Sequence, residues 1–261
     1  MASQQNKKPV SLALIFFSFF LLVAVFGGLI FLQEKLNPLS KSDTSGQKPA
    51  SSELTKKVEN FSALSKLPKV SPADWELILV NRDNIKEEMH PELTEVAGVQ
   101  VDSRIAEATT NFLTAAQSVN LNARLISGYR SVEEQKNLYE TYVQQEMEAR
   151  GIDQPAAEKV VQTYSQPAGV SEHMTGLAVD LSTIGAPNQM DEETAKQIAA
   201  IAPDYGFVLR YKSEYSQQTG VGYEDWHFRY VGKESARYMT DYNLSLESYL
   251  SLLSQSADSE D

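Results

Sequence analysis

Hydrophobic and polar positions divide this chain into five zones. Residues 10–32 (VSLALIFFSFFLLVAVFGGLIFL) carry no charge over 23 positions. A run of about 20 apolar residues is the length that crosses a bilayer core. Lys7 and Lys8 precede it, which predicts a cytoplasmic N-terminus at 1–9 and an uncleaved anchor at 10–32. The apolar core is longer than that of a signal peptide, and no A-x-A pattern ends it. Residues 33–70 are rich in Ser, Lys, Pro and Thr without apolar periodicity, and read as a flexible stalk. Residues 71–254 carry the periodic segments, and 255–261 read as an acidic disordered tail.

Within 71–254 the periods alternate between helix and strand. DWELILVN is the first strand candidate. Apolar Ile105, Ala108, Phe112, Leu113 and Ala116 have helical spacing over 102–118. ARLISGYR reads as a strand ending at Gly128. Ser131 followed by Glu134 is a capping box, opening a helix that stops at Gly151. A further helix is predicted over 155–164, then a loop, SQPAGVSEHMTG, and a strand, LAVDLS. Helix 191–202, strands GFVLRY and DWHFRYVG, and helices 234–242 and 245–253 complete the pattern. Helices lie early and late, with strands mostly between them. That order predicts an α+β domain with a largely antiparallel sheet.

Composition narrows the chemistry. The formal net charge of −12 excludes the basic face that nucleic acid requires. The absence of cysteine excludes disulfides, thiolate metal sites, a cysteine nucleophile and a lipid-modified anchor. The chain has three histidines, and two of them stand beside apolar strands with acidic residues near. His173 and Asp180 lie in SEHMTGLAVD, and His227 in YEDWHFRYVG. A carboxylate inside an apolar run requires compensation. Two imidazoles and one carboxylate form the donor set of a catalytic zinc with one open position. Strand parity places His227 and Arg229 on one face of 226–230 and Trp226, Phe228 and Tyr230 on the other. Glu224 falls on the wrong face of a regular strand, so a bend is needed to bring it beside His227 as a general base. Arg130 follows Gly128 at a strand-to-helix corner, where a guanidinium reaches a cleft. The structural alternatives are Asp180 paired with Arg130, and Arg130 paired with Glu133 or Glu134. His90 reads as a surface residue.

S-x-H-x-x-G-x-A-x-D followed by E-x-W-H resembles the zinc D-alanyl-D-alanine carboxypeptidases of the VanY/DacB/LdcB type, relatives of lysostaphin-like peptidases and the hedgehog N-terminal domain. SGYRS, FVLRY and EDWHFRYVG add to the likeness, which covers about 74–253. The resemblance implies a hedgehog/D-Ala-D-Ala peptidase-like fold and one zinc ion held by His173, Asp180 and His227. It implies Glu224 as catalytic base and Arg130 as the cation that polarises the scissile carbonyl. It implies Gln135, Ser171 and Tyr211 as substrate-pocket residues. Asp225 departs from the family, where proline is frequent, so the bend at Glu224 must form without it. The implied reaction removes the terminal D-Ala of a peptidoglycan stem peptide, with the L,D cut of a tetrapeptide slightly favoured over the D,D cut of a pentapeptide. The implied location is the cell-wall side of a Gram-positive membrane, anchored by the N-terminal helix. A lysin-like endopeptidase and a non-catalytic zinc-containing binding module are the rival readings.

Overall fold

The computed structural model describes residues 66–257 except 186, 188 and 189, so the anchor, most of the stalk and the end of the tail lie outside the described residues. No helix among the described residues is long and apolar enough to cross a membrane. A small hairpin comes first, β1 (Leu93–Val96) and β2 (Val99–Asp102). Helix α1 (Ala106–Val119) leads to β3 (Arg124–Ser127). Helices α2 (Val132–Arg150) and α3 (Gln154–Val161) follow, then β4 (Ala178–Ser182) and α4 (Glu192–Ile201). Strand β5 (Phe207–Tyr211), the one-turn α5 (Ser216–Thr219), β6 (Glu224–Tyr230), α6 (Lys233–Asp241) and α7 (Leu246–Ala257) close the domain. The main sheet has the order β3-β4-β6-β5, with every pairing antiparallel. This is the expected mixed α+β architecture.

Local chemistry explains the element boundaries. The Ser131 hydroxyl accepts from the Glu134 N–H, and the Glu134 carboxylate accepts from the Ser131 N–H, which opens α2. Gly151 ends that helix in the left-handed region (φ 63°), where a Cβ is disfavoured. Helix α7 runs to Ala257, so the tail predicted from 255 is helical over its first residues. Leu67 and Val70, assigned to the stalk by sequence, pack against the C-terminal helices, so ordered packing begins before 71.

Two elements differ from expectation. DWELILVN is not a strand: Trp75–Leu77 is a 3-10 turn, and the residues after it join no sheet. Its apolar positions are satisfied by packing, with Leu77 and Val80 both 1% exposed. Its carbonyls at Glu76 and Ile78 accept from the Arg229 guanidinium rather than from a neighbouring strand. The β1–β2 hairpin was not expected. Its turn uses Ala97 and Gly98, both at positive φ, without the Asn-Gly or Asp-Gly signal that marks such turns.

The sheet separates two packing layers. Phe112, Leu113 and Ala116 of α1 and Ile198 of α4 cover Leu125, Val179, Leu181, Phe207 and Phe228. Val208 faces the opposite layer, with Leu77, Tyr238, Met239, Leu246, Tyr249 and Leu253. A smaller apolar cluster, Val143, Ala157 and Val161, ties α2 to α3. Phe228 is wholly buried, its ring 5.0 Å from Phe112, which stacks at 4.9 Å on Phe207. Phe228→Ala is therefore expected to destabilise the domain by about 3–5 kcal/mol. Urea unfolding should show a lower midpoint at unchanged slope.

Candidate metal centre

Pairing across the sheet brings the sequence-distant ligands together. Asp180 on β4 lies directly opposite His227 on β6, while Val179 opposite Phe228 fills the core face. Alternation along each strand thus aims Asp180 and His227 to the side away from Phe228. His173 arrives from a 3-10 turn, Glu172–Thr175, that precedes β4. Gly176 ends that turn at φ +69°, with its carbonyl accepting from Asp102 N–H; an added Cβ would sit 2.8 Å from that nitrogen. His173 Nδ1 donates to the Gly128 carbonyl at 2.7 Å, and Arg130 N–H donates to the His173 carbonyl at 3.2 Å. The turn is therefore clamped to the β3–α2 corner.

With its proton on Nδ1, His173 presents Nε2 to Asp180 Oδ2 at 3.4 Å. His227 Nδ1 lies 3.2 Å from Asp180 Oδ1. One ligand atom from each of the three residues falls within 4.8 Å of the others, and all three residues are buried. Asp180 Oδ1 is buried without a hydrogen-bond partner. Lone pairs converging on a dry spot repel one another unless a cation lies between them. The orphaned oxygen and the N,N,O donor set fit a single zinc ion, and oxygen-seeking calcium or magnesium would not select two imidazoles.

The expected bend at Glu224 is a bulge. Leu209 pairs with Phe228, yet Tyr211 pairs with Glu224, so β6 carries two extra residues against β5. The bulge returns Glu224 to the side of His227, with Oε2 3.9 Å from Nδ1. Proline at 225 is not required for it.

Electrostatics follow from burial. Burial alone pushes the Asp180 carboxyl up, but the imidazoles of His173 and His227 outweigh it and hold the group well below the usual carboxylate range. Burial pushes the Glu224 carboxyl up to about 8, His227 opposing and the charges of Asp180 and Glu172 assisting. Burial lowers His173. For His227 burial also acts downward, but Asp180 and Glu172 prevail and raise it to about 9. A dication among these groups reverses the local logic, favouring the carboxylate and the neutral imidazole.

The remaining predicted residues surround this cluster unequally. Arg130 is half-buried; its guanidinium donates to Gln135 Oε1 at 2.6 Å and to Ser127 Oγ at 2.9 Å. Among the ion pairs of the described residues it joins none with Asp180, Glu133 or Glu134. Gln135, expected in the substrate pocket, is 2% exposed and is engaged on both sides, by Arg130 and by the Gln166 carbonyl. It braces Arg130. The Tyr211 ring lies 4.7 Å from the His227 ring. Ser171 is buried at the head of the His173 turn. His90 is exposed. Sequence reasoning missed Glu172, which is 1% exposed and has Oε2 3.4 Å from His227 Nε2. Its signal was an acidic residue inside a turn otherwise destined for burial.

The chain is similar to known carboxypeptidases in sequence and in fold. A family model described as VanY: D-alanyl-D-alanine carboxypeptidase matches residues 98–233, just over half of the chain. A D-alanyl-D-alanine carboxypeptidase of Enterococcus faecalis is 34% identical over 179 residues, 68% of this chain and 66% of the relative. The putative carboxypeptidase YodJ of Bacillus subtilis is 34% identical over 149 residues, 55% of this chain and 51% of that protein. The chain thus spans about half to two thirds of the length of these curated relatives. Among solved structures, a mutant of the vancomycin-resistance D,D-pentapeptidase VanY in complex with Zn(II) superposes with a TM-score of 0.62 at 33% identity, covering 68% of this chain and 99% of that one. The L,D-carboxypeptidase DacB of a pneumococcal Streptococcus gives 0.55 at 30% identity, covering 66% and 85%. With its two-histidine, one-aspartate centre on a sheet shared with a zinc-bound VanY, the chain belongs to the VanY family of D-alanyl-D-alanine carboxypeptidases.

Proposed function

We propose that this protein is a zinc carboxypeptidase that releases the C-terminal D-alanine of a peptidoglycan stem peptide. The observation that carries the reading is the convergence of His173, Asp180 and His227 beside a buried Glu224. Zinc, when held by these three residues, supplies Lewis acidity and brings the pKa of a bound water near about 7. Glu224 accepts the proton of the attacking water and returns it to the leaving amine. Arg130, fixed by Gln135 and Ser127, offers its remaining donors to the oxygen on which charge develops. A preorganised donor of that kind is worth about 2.7–4 kcal/mol in the transition state. Tyr211 and Ser171 border the bound peptide in this reading, which the Tyr211 ring's contact with His227 supports.

Whether the cut is D,D or L,D depends on the residue before the terminal D-alanine. Relatives of both kinds share the fold, a VanY solved in complex with D-alanine-D-alanine and the L,D-carboxypeptidase DacB. The higher TM-score and coverage for VanY support the D,D cut as the first to assay, over the L,D cut that the motifs suggested. A charge-free run at 10–32, outside the described residues, supports a membrane anchor that holds the domain on the cell-wall side. The full chain in detergent, incubated with tri-, tetra- and pentapeptide stems, should release one D-alanine from the pentapeptide or the tetrapeptide and leave the tripeptide intact, read by product mass. Release of dipeptides or opening of cross-links alone would transfer the reading to an endopeptidase. Zinc binding without hydrolysis of any stem would transfer it to a binding module.

A further inference from the structure

Behind the metal centre lies a buried ionic chain that the reaction itself does not use. Glu172 Oε1 accepts from Arg210 Nε at 2.8 Å and from Arg229 Nη1 at 3.0 Å. Arg210 continues to Glu247 on α7 through two parallel bonds of 2.9 and 2.7 Å. Glu247 also accepts from Asn81 Nδ2 at 3.1 Å. Arg229 donates its other face to the carbonyls of Glu76, Ile78 and Tyr230. Glu172, Arg210 and Arg229 are each at most 1% exposed.

Stability alone is a weak reason for such an arrangement. Buried ion pairs lose much of their attraction to desolvation, and apolar side chains of similar volume often replace them without cost. The geometry gives a better reason. Both guanidiniums engage Oε1, which leaves Oε2 free, and Oε2 faces His227 Nε2 at 3.4 Å. An ionised carboxylate only accepts, so this contact requires the proton on Nε2. The lone pair of Nδ1 is then directed at Asp180 and the cation position. Two carboxylates and two guanidiniums balance, so the chain orients the ring without adding net charge to the centre.

Resting on the zinc reading above, we propose that Glu172 is a positioning residue that sets the tautomer and ring angle of His227, and that Arg210, Arg229 and Glu247 hold it in that role. The network therefore makes the segment at 76–81 and helix α7, both outside the family-matched span 98–233, part of the metal centre's support.

Glu172→Gln is the sharp test. A carboxamide has one acceptor oxygen, which the two arginines claim, and its NH2 then confronts the His227 N–H, donor against donor. Zinc affinity of the full chain in detergent, measured by competition with a chromophoric chelator, is expected to fall 10- to 100-fold. A merely structural role would lower the melting temperature and leave the affinity of the folded variant within threefold of wild type, which would overturn the proposal. Should the variant not fold, the wild type decides. In the zinc-loaded protein labelled with 15N-histidine, the His227 proton is expected on Nε2 and protected from solvent exchange. A proton on Nδ1, or unprotected exchange at Nε2, would equally overturn it. If wild type takes up no zinc, the reading of the centre fails; if it takes up zinc and Glu172→Gln binds as tightly, this inference alone fails.

Discussion

Glu224→Ala is expected to retain one zinc per chain and to lose roughly 10²–10⁴-fold in kcat, the usual contribution of a positioned general acid-base group. The residue is 6% exposed and stands beside His227 without being needed to complete the three-donor cluster. Removing it should leave the metal donors and the cross-strand pair of Asp180 and His227 in place. In the metal-free protein burial pushes its carboxyl up to about 8, so it is largely protonated at neutral pH. A neighbouring dication favours ionisation, which converts the group into a base at the pH where it must work. Glu224→Gln tests the same point with almost no change of volume, and should be as inactive as the alanine variant. Metal analysis after gel filtration, together with steady-state rates on the stem peptide, separates the outcomes. Wild-type turnover in either variant would remove Glu224 from the mechanism, and loss of zinc would recast it as a ligand.

The parts of this site legible in sequence are those governed by short-range rules. The Ser131–Glu134 box, Gly151 and the period-2 run around Phe228 each act within a few residues, and the elements they predict are present. Parity alone placed His227 opposite the aromatic core face, and the need for a bend at Glu224 followed from the same count. What sequence did not carry was partnership across long separations. DWELILVN has the short apolar run of a buried strand, but its carbonyls at Glu76 and Ile78 are taken by Arg229, more than 150 positions away, so no ladder forms. Gln135 has the look of a surface helix residue or a pocket residue, and its burial between Arg130 and Gln166 depends on how α2 packs at its base. Glu172 was missed for a similar reason: its acidic side chain in the turn could be seen, but only the fold shows that the residue preceding one histidine of the centre turns back to hold the other. The Ala97–Gly98 turn was missed because its positive φ values are imposed by the hairpin rather than announced by the residue types.

Asp180→Asn should behave in the opposite way to Glu224→Ala, losing the metal and with it all turnover. The carboxylate lies between the two imidazoles, with Oδ2 3.4 Å from His173 Nε2 and Oδ1 3.2 Å from His227 Nδ1. Asparagine keeps the volume but offers one acceptor and an NH2 that points donors where a cation belongs. It also removes the negative charge that the buried cluster presents to a dication. Melting curves give a readout independent of catalysis. A ligand that binds only the folded state stabilises it by about 4.1 kcal/mol at 1,000 times its dissociation constant. Wild type and Glu224→Ala should both show a zinc-dependent rise in melting temperature, whereas Asp180→Asn should show none at the same zinc concentration. The charge of His227 in the metal-free variant is still met by Glu172, so its metal-free fold should survive for the comparison. A zinc-dependent rise in Asp180→Asn equal to that of wild type would mean that the ion is held elsewhere. The two histidines would then need another partner to account for their burial beside an orphaned oxygen.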